Sequence, residues 1–299
     1  MSMTWKGVMP AITTAFNADY SVDHGFVAEH AKWMIDSGGT GIVPLGSLGE
    51  GATLSFEEKI QILETILKSV GARVPVVPGI SSLSTAEGVK LAKAAQKAGC
   101  KGLMVLPPYV YASDWREMKA HVEAIIKATS LPCMLYNNPV SYKTDFAPEQ
   151  IAELAAAHRN LEAVKESSTD ARRVTGIRAL IGNRLAIFVG VDDVIVESIY
   201  MGAVGWIAGL VNAFPKESVA LFNLAHRNDC EKTQKLYQWF LPLLRLDTTV
   251  KFVQMIKLAQ ELVGMGNARV RGPRLKLSGA ELKATQAVIE KAIATRPKV

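Results

Sequence analysis

Leu131-Pro-Cys-Met-Leu-Tyr136, then Pro148-Glu-Gln-Ile-Ala-Glu-Leu-Ala155, then Leu161-Glu-Ala-Val-Lys165: this stretch reads as strand, helix, strand. The two outer runs are apolar and of buried-strand length. Pro148 stands at a first helical position, and Ile151, Leu154 and Ala155 form an apolar stripe at helical spacing. The unit repeats in both directions. Apolar runs at 7–13, 41–46, 74–79 and 102–107 precede it, and runs at 185–190 and 204–209 follow it. Helical patterns separate them. Ser55 precedes Glu58 by a capping-box interval, and Ser84–Glu87 and Asp114–Glu117 repeat that interval.

Eight strand–helix alternations demand a parallel sheet, either doubly wound or closed. The composition shows no break along the chain, which favours closure. The expected fold class is α/β: a (β/α)8 TIM barrel over residues 1–225, with a C-terminal helical extension over 226–299. Helical patterns at 233–244, 248–263 and 278–295 would form that three-helix layer. Length agrees: 299 residues suit one barrel of about 250 residues plus an addition.

Composition excludes several classes. The chain is 49% hydrophobic and 21% charged, which is ordinary for a globular protein. Its net charge of +6 comes from scattered residues, with no basic arm for nucleic acid. No apolar run approaches the ~20 residues of a membrane span. Residues 1–20 lack a basic head followed by an apolar stretch. Three cysteines, Cys100, Cys133 and Cys230, form no CxxC pair. A reducing, cytoplasmic setting is expected. The five histidines are widely spaced, and neither a metal site nor a cofactor is expected.

In such a barrel the chemistry gathers at the carboxyl ends of the strands. Strand period two puts Leu161, Ala163, Lys165 and Ser167 on one face. A lysine turned into the barrel mouth is desolvated, and desolvation disfavours an ammonium. The neutral amine is a nucleophile for carbonyl carbon. The alternative is a structural ion pair of Lys165 with Glu166 or Glu50. Tyr136 closes the preceding strand; its phenol either shuttles protons beside that amine or caps the core. Gly46-Ser47-Leu48-Gly49-Glu50 follows the second strand. Its backbone N–H groups offer a cradle for a carboxylate, although a plain tight turn explains the spacing as well. Asp192-Asp193 after the seventh strand would bind a cation or cap the next helix; the cap is preferred. Trp239, Phe240, Leu243 and Leu244 are spaced as a core stripe.

These motifs are together similar to the dihydrodipicolinate synthase / N-acetylneuraminate lyase family of Schiff-base enzymes. The carriers are Gly46-Ser-Leu-Gly-Glu50, Pro107-Pro-Tyr109, Tyr136-Asn-Asn-Pro139 and Val164-Lys-Glu166, over essentially the whole chain. The resemblance implies that Lys165 forms an imine with C2 of a 2-oxo acid or cyclic imine. It implies that Tyr136 relays protons with the Ser47 hydroxyl. The substrate carboxylate would lie against Gly46, Ser47, Leu48 and Gly49, with Ile207 also lining the site. The implied partners are a small anionic substrate and other copies of the chain, as a homotetramer.

Departures narrow the reading. Leu48 replaces a second threonine of that loop. Val110 stands where the synthases carry a tyrosine that reaches across the dimer, with Tyr111 next to it. Ser141 stands where they carry an arginine for the second substrate's carboxylate, and a serine lacks the bidentate fork. Residues 136–145 and 246–254 look similar to 1-pyrroline-4-hydroxy-2-carboxylate deaminases of hydroxyproline catabolism. The expected activity is therefore that of a deaminase. The alternatives are an aldolase or dehydratase of a 2-keto-3-deoxy acid or sialic acid, a condensation with pyruvate, and a non-catalytic binding barrel.

Overall fold

The computed structural model describes residues 3–299. Seven parallel strands form one sheet: β1 (Gly7–Val8), β2 (Gly79–Ile80), β3 (Leu103–Val105), β4 (Cys133–Asn137), β5 (Leu161–Glu166), β6 (Ala186–Val189) and β7 (Gly205–Trp206). Their order is β1-β7-β6-β5-β4-β3-β2. Ile42 and Val43 close the ring between β1 and β2. Ile42 bridges Val76 and Val43 bridges Ala11, both in parallel. The second of the eight expected strands is thus reduced to two bridges. Proline is the reason. Pro10, Pro44, Pro75 and Pro78 have no N–H to give the ladder. Their carbonyls still accept, from the N–H groups of Val43, Gly79, Ile42 and Met104 at 2.8, 2.8, 3.0 and 2.9 Å. The fold is an α/β barrel of the TIM type.

Alternation along the strands divides the core in two. Met9, Val43, Val77, Met104, Met134, Ala163, Phe188 and Ile207 pack together in the barrel interior. A larger cluster fills the space between sheet and helices. Leu161 was expected on the same face as Lys165, yet it packs in the outer cluster. The register between β4 and β5 shifts at Cys133/Met134, so that Cys133 pairs Leu161 and Met134 pairs Ala163. That extra residue on β5 flips the side chains below it. Glu162 consequently accepts a hydrogen bond from Trp5 Nε1 at 2.9 Å.

The Ser55–Glu58 and Asp114–Glu117 capping boxes are both reciprocal. At Ser84 only one half forms: the serine accepts from Glu87 N–H at 3.2 Å. Beyond the barrel run helices Cys230–Leu244, Phe252–Leu262 and Gly279–Ala294. Phe240, Leu243 and Leu244 are buried, with Phe240 against Phe214 at 6.1 Å between ring centroids. The second of these helices starts four residues later than the 248 read from the sequence, because Asp247 to Val250 turn toward the barrel mouth. No helix of the described residues is long and apolar enough to cross a membrane.

His30 is a core histidine. It is fully buried, stacked between Phe26 and Trp33 at 5.4 and 5.8 Å. Its Nε2 lies 2.9 Å from the Asn212 carbonyl, so Nε2 carries the proton of the neutral ring. Desolvation pushes its pKa down to about 4, against a smaller upward pull from Asn212. The unfolded chain therefore binds the extra proton more readily between pH 6.5 and 4. The stability contributed by neutral His30 is complete above pH 6.5 and declines as pH falls toward 4. At pH 5 the loss is about 2 kcal/mol. Urea unfolding at pH 7 and pH 5 should show that loss in the parent and its removal in His30→Gln; an equal loss in both would reject this account.

Candidate active site

Lys165 and Tyr136 are register partners on β5 and β4. Lys165 is only 7% exposed, and its Nζ sits 4.1 Å from the centroid of the Tyr136 ring. The two carboxylates that would neutralise it are engaged elsewhere. Glu50 pairs with Lys257, Oε1 to Nζ at 2.5 Å. Glu166 accepts from Asn137 Nδ2 at 3.0 Å and from Ser168 N–H at 2.7 Å. Burial raises the pKa of Glu166, and these hydrogen bonds pull it back. Among the described residues no carboxylate oxygen lies within 4.0 Å of Lys165 Nζ. The structural ion pair considered from the sequence is absent.

The loop after Val43 is shaped by its backbone. Leu45 and Glu50 both adopt left-handed φ, at 65° and 53°. A Cβ on Gly51 would fall 2.1 Å from the Leu45 carbonyl oxygen, so the turn requires glycine there. Gly46, Ser47 and Leu48 line the mouth. The N–H groups of Ser47 and Leu48 donate to no acceptor among the described residues. Gly49 is not brought to the cavity. It packs back on the chain after β1, where its carbonyl accepts from Thr14 Oγ1 at 2.6 Å. Beneath the loop, Glu50 is buried and also accepts from Arg271 N–H at 2.9 Å. Lys257 lies 4.4 Å above the Phe16 ring and donates to the Arg269 carbonyl at 2.7 Å. Burial lowers the pKa of Lys257, and the Glu50 charge opposes that.

Tyr142 was missed in the sequence. It ends the short helix Pro139–Tyr142, which Asn138 caps by accepting from Ser141 N–H at 2.9 Å. The Tyr142 hydroxyl makes a short hydrogen bond with Ser47 Oγ. Its ring stands edge-on to Tyr136, with centroids 5.8 Å apart, and lies 5.5 Å from Tyr109. Burial, followed by the neighbouring Tyr136 phenol, raises the pKa of Tyr142 and keeps it protonated. The Tyr136 hydroxyl accepts from Asn138 Nδ2 at 2.9 Å. Asn137, between the two strands, is buried and holds both Glu166 and Phe146. By contrast Val110 and Tyr111 are exposed, at 61% and 55%. The Asn138-Pro139 pair, an N-cap and a first-turn proline, was the signal that could have placed Tyr142 on a turn facing the loop.

Asp192 does not cap the helix that follows it. It reaches across to the end of β7, accepting from Trp206 Nε1 at 2.9 Å, Leu210 N–H at 2.8 Å and Gly209 N–H at 3.1 Å. Ser167, two residues beyond Lys165, also lines the mouth; its buried Oγ has no partner. Lys165, Tyr136, Ser47, Leu48, Gly46 and Ile207 all border one cavity of about 490 Å³. Asp247, Thr248 and Thr249, from the stretch 246–254, close its outer side with Arg274; none of them was assigned an individual role from the sequence.

The profile of the Dihydrodipicolinate synthetase family matches residues 4–292. The chain belongs to that family. It is therefore an enzyme of the class I Schiff-base type, a lyase. A 4-hydroxy-tetrahydrodipicolinate synthase of Agrobacterium fabrum is 32% identical over 289 residues, 97% of each chain. One from Geobacter metallireducens is 31% identical, over 96% of this chain and 98% of the relative. Among solved structures, the synthase of Methylacidiphilum fumariolicum SolV superposes with a TM-score of 0.91 at 28% identity, over 98% of both chains. A prophage protein of this family from E. coli K12, solved in complex with pyruvate, gives 0.91 at 26% identity, covering 97% of this chain and 99% of that one. The relatives' names thus favour the condensation, which the sequence reading had placed behind the deaminase.

The Glu50–Lys257 pair ties the loop to the helix Phe252–Leu262. Lys257→Met should leave buried Glu50 with only the more distant Arg274, 3.9 Å away, and destabilise the fold by about 3–5 kcal/mol. The double variant with Glu50→Gln should recover much of that loss. Urea denaturation decides it: equal stability of Lys257→Met and the parent would show that the pair does not hold the loop.

Proposed function

We propose that Lys165 attacks C2 of a small 2-oxo acid or cyclic imino acid and carries it as an imine. The observation behind this is the buried, unpaired amine stacked on Tyr136. The unpaired N–H groups of Ser47 and Leu48 receive the substrate carboxylate, and Ser47 adds its hydroxyl. Tyr136 takes and returns protons at the oxygen or nitrogen that leaves C2 and at C3. Tyr142 donates to Ser47 or accepts from it, and so extends the relay within one chain.

The reaction we assign is deamination of 1-pyrroline-4-hydroxy-2-carboxylate. Lys165 adds to C2, the ring nitrogen departs from C2, and the open chain remains bound as the imine. Loss of a C3 proton gives an enamine, which expels the C4 hydroxyl. Isomerisation toward C5 and hydrolysis release ammonia and 2,5-dioxopentanoate. This substrate has one carboxylate, matching a mouth in which Ser141 is exposed and Asp247 lines the wall.

Condensation of pyruvate with a second carbonyl substrate is the competing reading. The relatives' names support it, and Arg274 at the rim offers a guanidinium for a second carboxylate. Two assays separate the readings. Purified protein should release ammonia from the hydroxylated cyclic imine and should fail to consume pyruvate with an amino-acid semialdehyde. The reverse pattern would establish the condensation. With the productive substrate, Tyr136→Phe should lower kcat by about 10²–10⁴-fold, and an unchanged kcat would remove Tyr136 from the relay.

A further inference from the structure

Asp247 belongs to the 3-10 turn Arg245–Thr248, between two helices of the C-terminal layer, yet its side chain lines the cavity with Lys165. It rests on Gly209. A Cβ on that residue would fall 2.0 Å from Asp247 Oδ1, so any larger residue would displace the carboxyl. The N–H of the same glycine donates to Asp192, at 3.2 and 3.1 Å to its two oxygens. Two carboxyl groups therefore meet at one backbone position. Their surroundings differ. Asp192 is completely buried, which raises its pKa to about 6, while its three N–H donors pull it back toward the carboxylate. Asp247 receives no hydrogen bond among the described residues and faces the substrate space.

Two carboxyls that meet at one backbone position disfavour each other's ionisation. Burial, and then the Asp192 charge, holds the pKa of Asp247 well above the usual carboxylate range. Asp193 adds to this and Lys165 opposes it. Asp193 is itself 3.7 Å from Arg245, which draws part of its charge outward. Asp247 is thus the carboxyl in the cavity that retains a proton to give.

We propose that Asp247 is the general acid that protonates the hydroxyl leaving from C4 of the Lys165-bound chain. This rests on the deaminase reading above. The electron pair of the C2–C3 enamine forms the C3–C4 double bond and restores the iminium at C2. The C4–O bond breaks and takes the Asp247 proton, so the hydroxyl departs as water and Asp247 is left as carboxylate. A proton from solvent at the open mouth restores it. Nothing is oxidised or reduced. Lys165 and Asp247 line the same cavity, so an acid is at hand for the chain that Lys165 holds through C2.

The test compares two substrates whose leaving groups differ in their need for a proton: the 4-hydroxy cyclic imine and its 4-chloro counterpart. Chloride departs without protonation. In Asp247→Asn, turnover of the hydroxylated substrate should fall about 10²–10⁴-fold, while the chlorinated one should turn over within a few-fold of the parent. Borohydride trapping of pyruvate on Lys165 should be unchanged. A second readout needs no variant: kcat of the parent should fall as pH rises for the hydroxylated substrate, with no matching decline for the chlorinated one. Equal loss on both substrates, or no loss on either, overturns the role of Asp247 and leaves the deaminase reading standing. A parent protein that traps pyruvate but turns over neither imine overturns both.

Discussion

Two buried lysines stand near the barrel mouth: Lys257 is paired with Glu50, whereas Lys165 has no carboxylate within ion-pair distance among the described residues and lies on the Tyr136 ring. The difference lies in how the acids are tethered. Glu50 leaves its loop through a left-handed backbone and points down, away from the mouth, onto the helix Phe252–Leu262. Glu166, next to Lys165 in sequence, faces the other side of β5, where Asn137 and Ser168 hold it. Strand alternation alone keeps those neighbours apart. The same Glu50 contact fixes the loop whose free N–H groups face the cavity. The Glu50–Lys257 pair thus keeps one acid away from Lys165 and anchors the loop on which Ser47 and Leu48 line the cavity.

The barrel was legible because its evidence is local. Apolar runs at a regular pitch, separated by capping intervals, specify strand and helix before any tertiary contact is known. Lys165, Tyr136 and Ser47 were legible for the same reason, since each sits on or just after a strand end. What escaped the sequence was non-local. Pro44 and Pro75 shorten the second strand without opening the ring, because their carbonyls keep accepting. Leu161 crosses to the outer core through a register shift that periodicity does not register. Tyr142 and Asp247 reach the cavity from a short turn and from the C-terminal layer. Their sequence surroundings carry no strand-end signature.

The appended helices bear on function as well as on stability. Lys257 and Asp247 both come from that layer, one beneath the loop and one in the cavity wall. Gly209, at the end of β7, receives Asp247 on one side and binds Asp192 on the other. A family that shares the barrel can vary its chemistry through such residues, because they stand at the rim and not in the sheet.

The central claim is that Lys165 is a nucleophilic amine. Incubation with pyruvate, reduction with borohydride and peptide mass analysis test it directly. The account predicts a reduced pyruvate adduct on the peptide containing Lys165, and none in Lys165→Ala. An unmodified Lys165 peptide in a folded protein, or an adduct confined to another lysine, would contradict it.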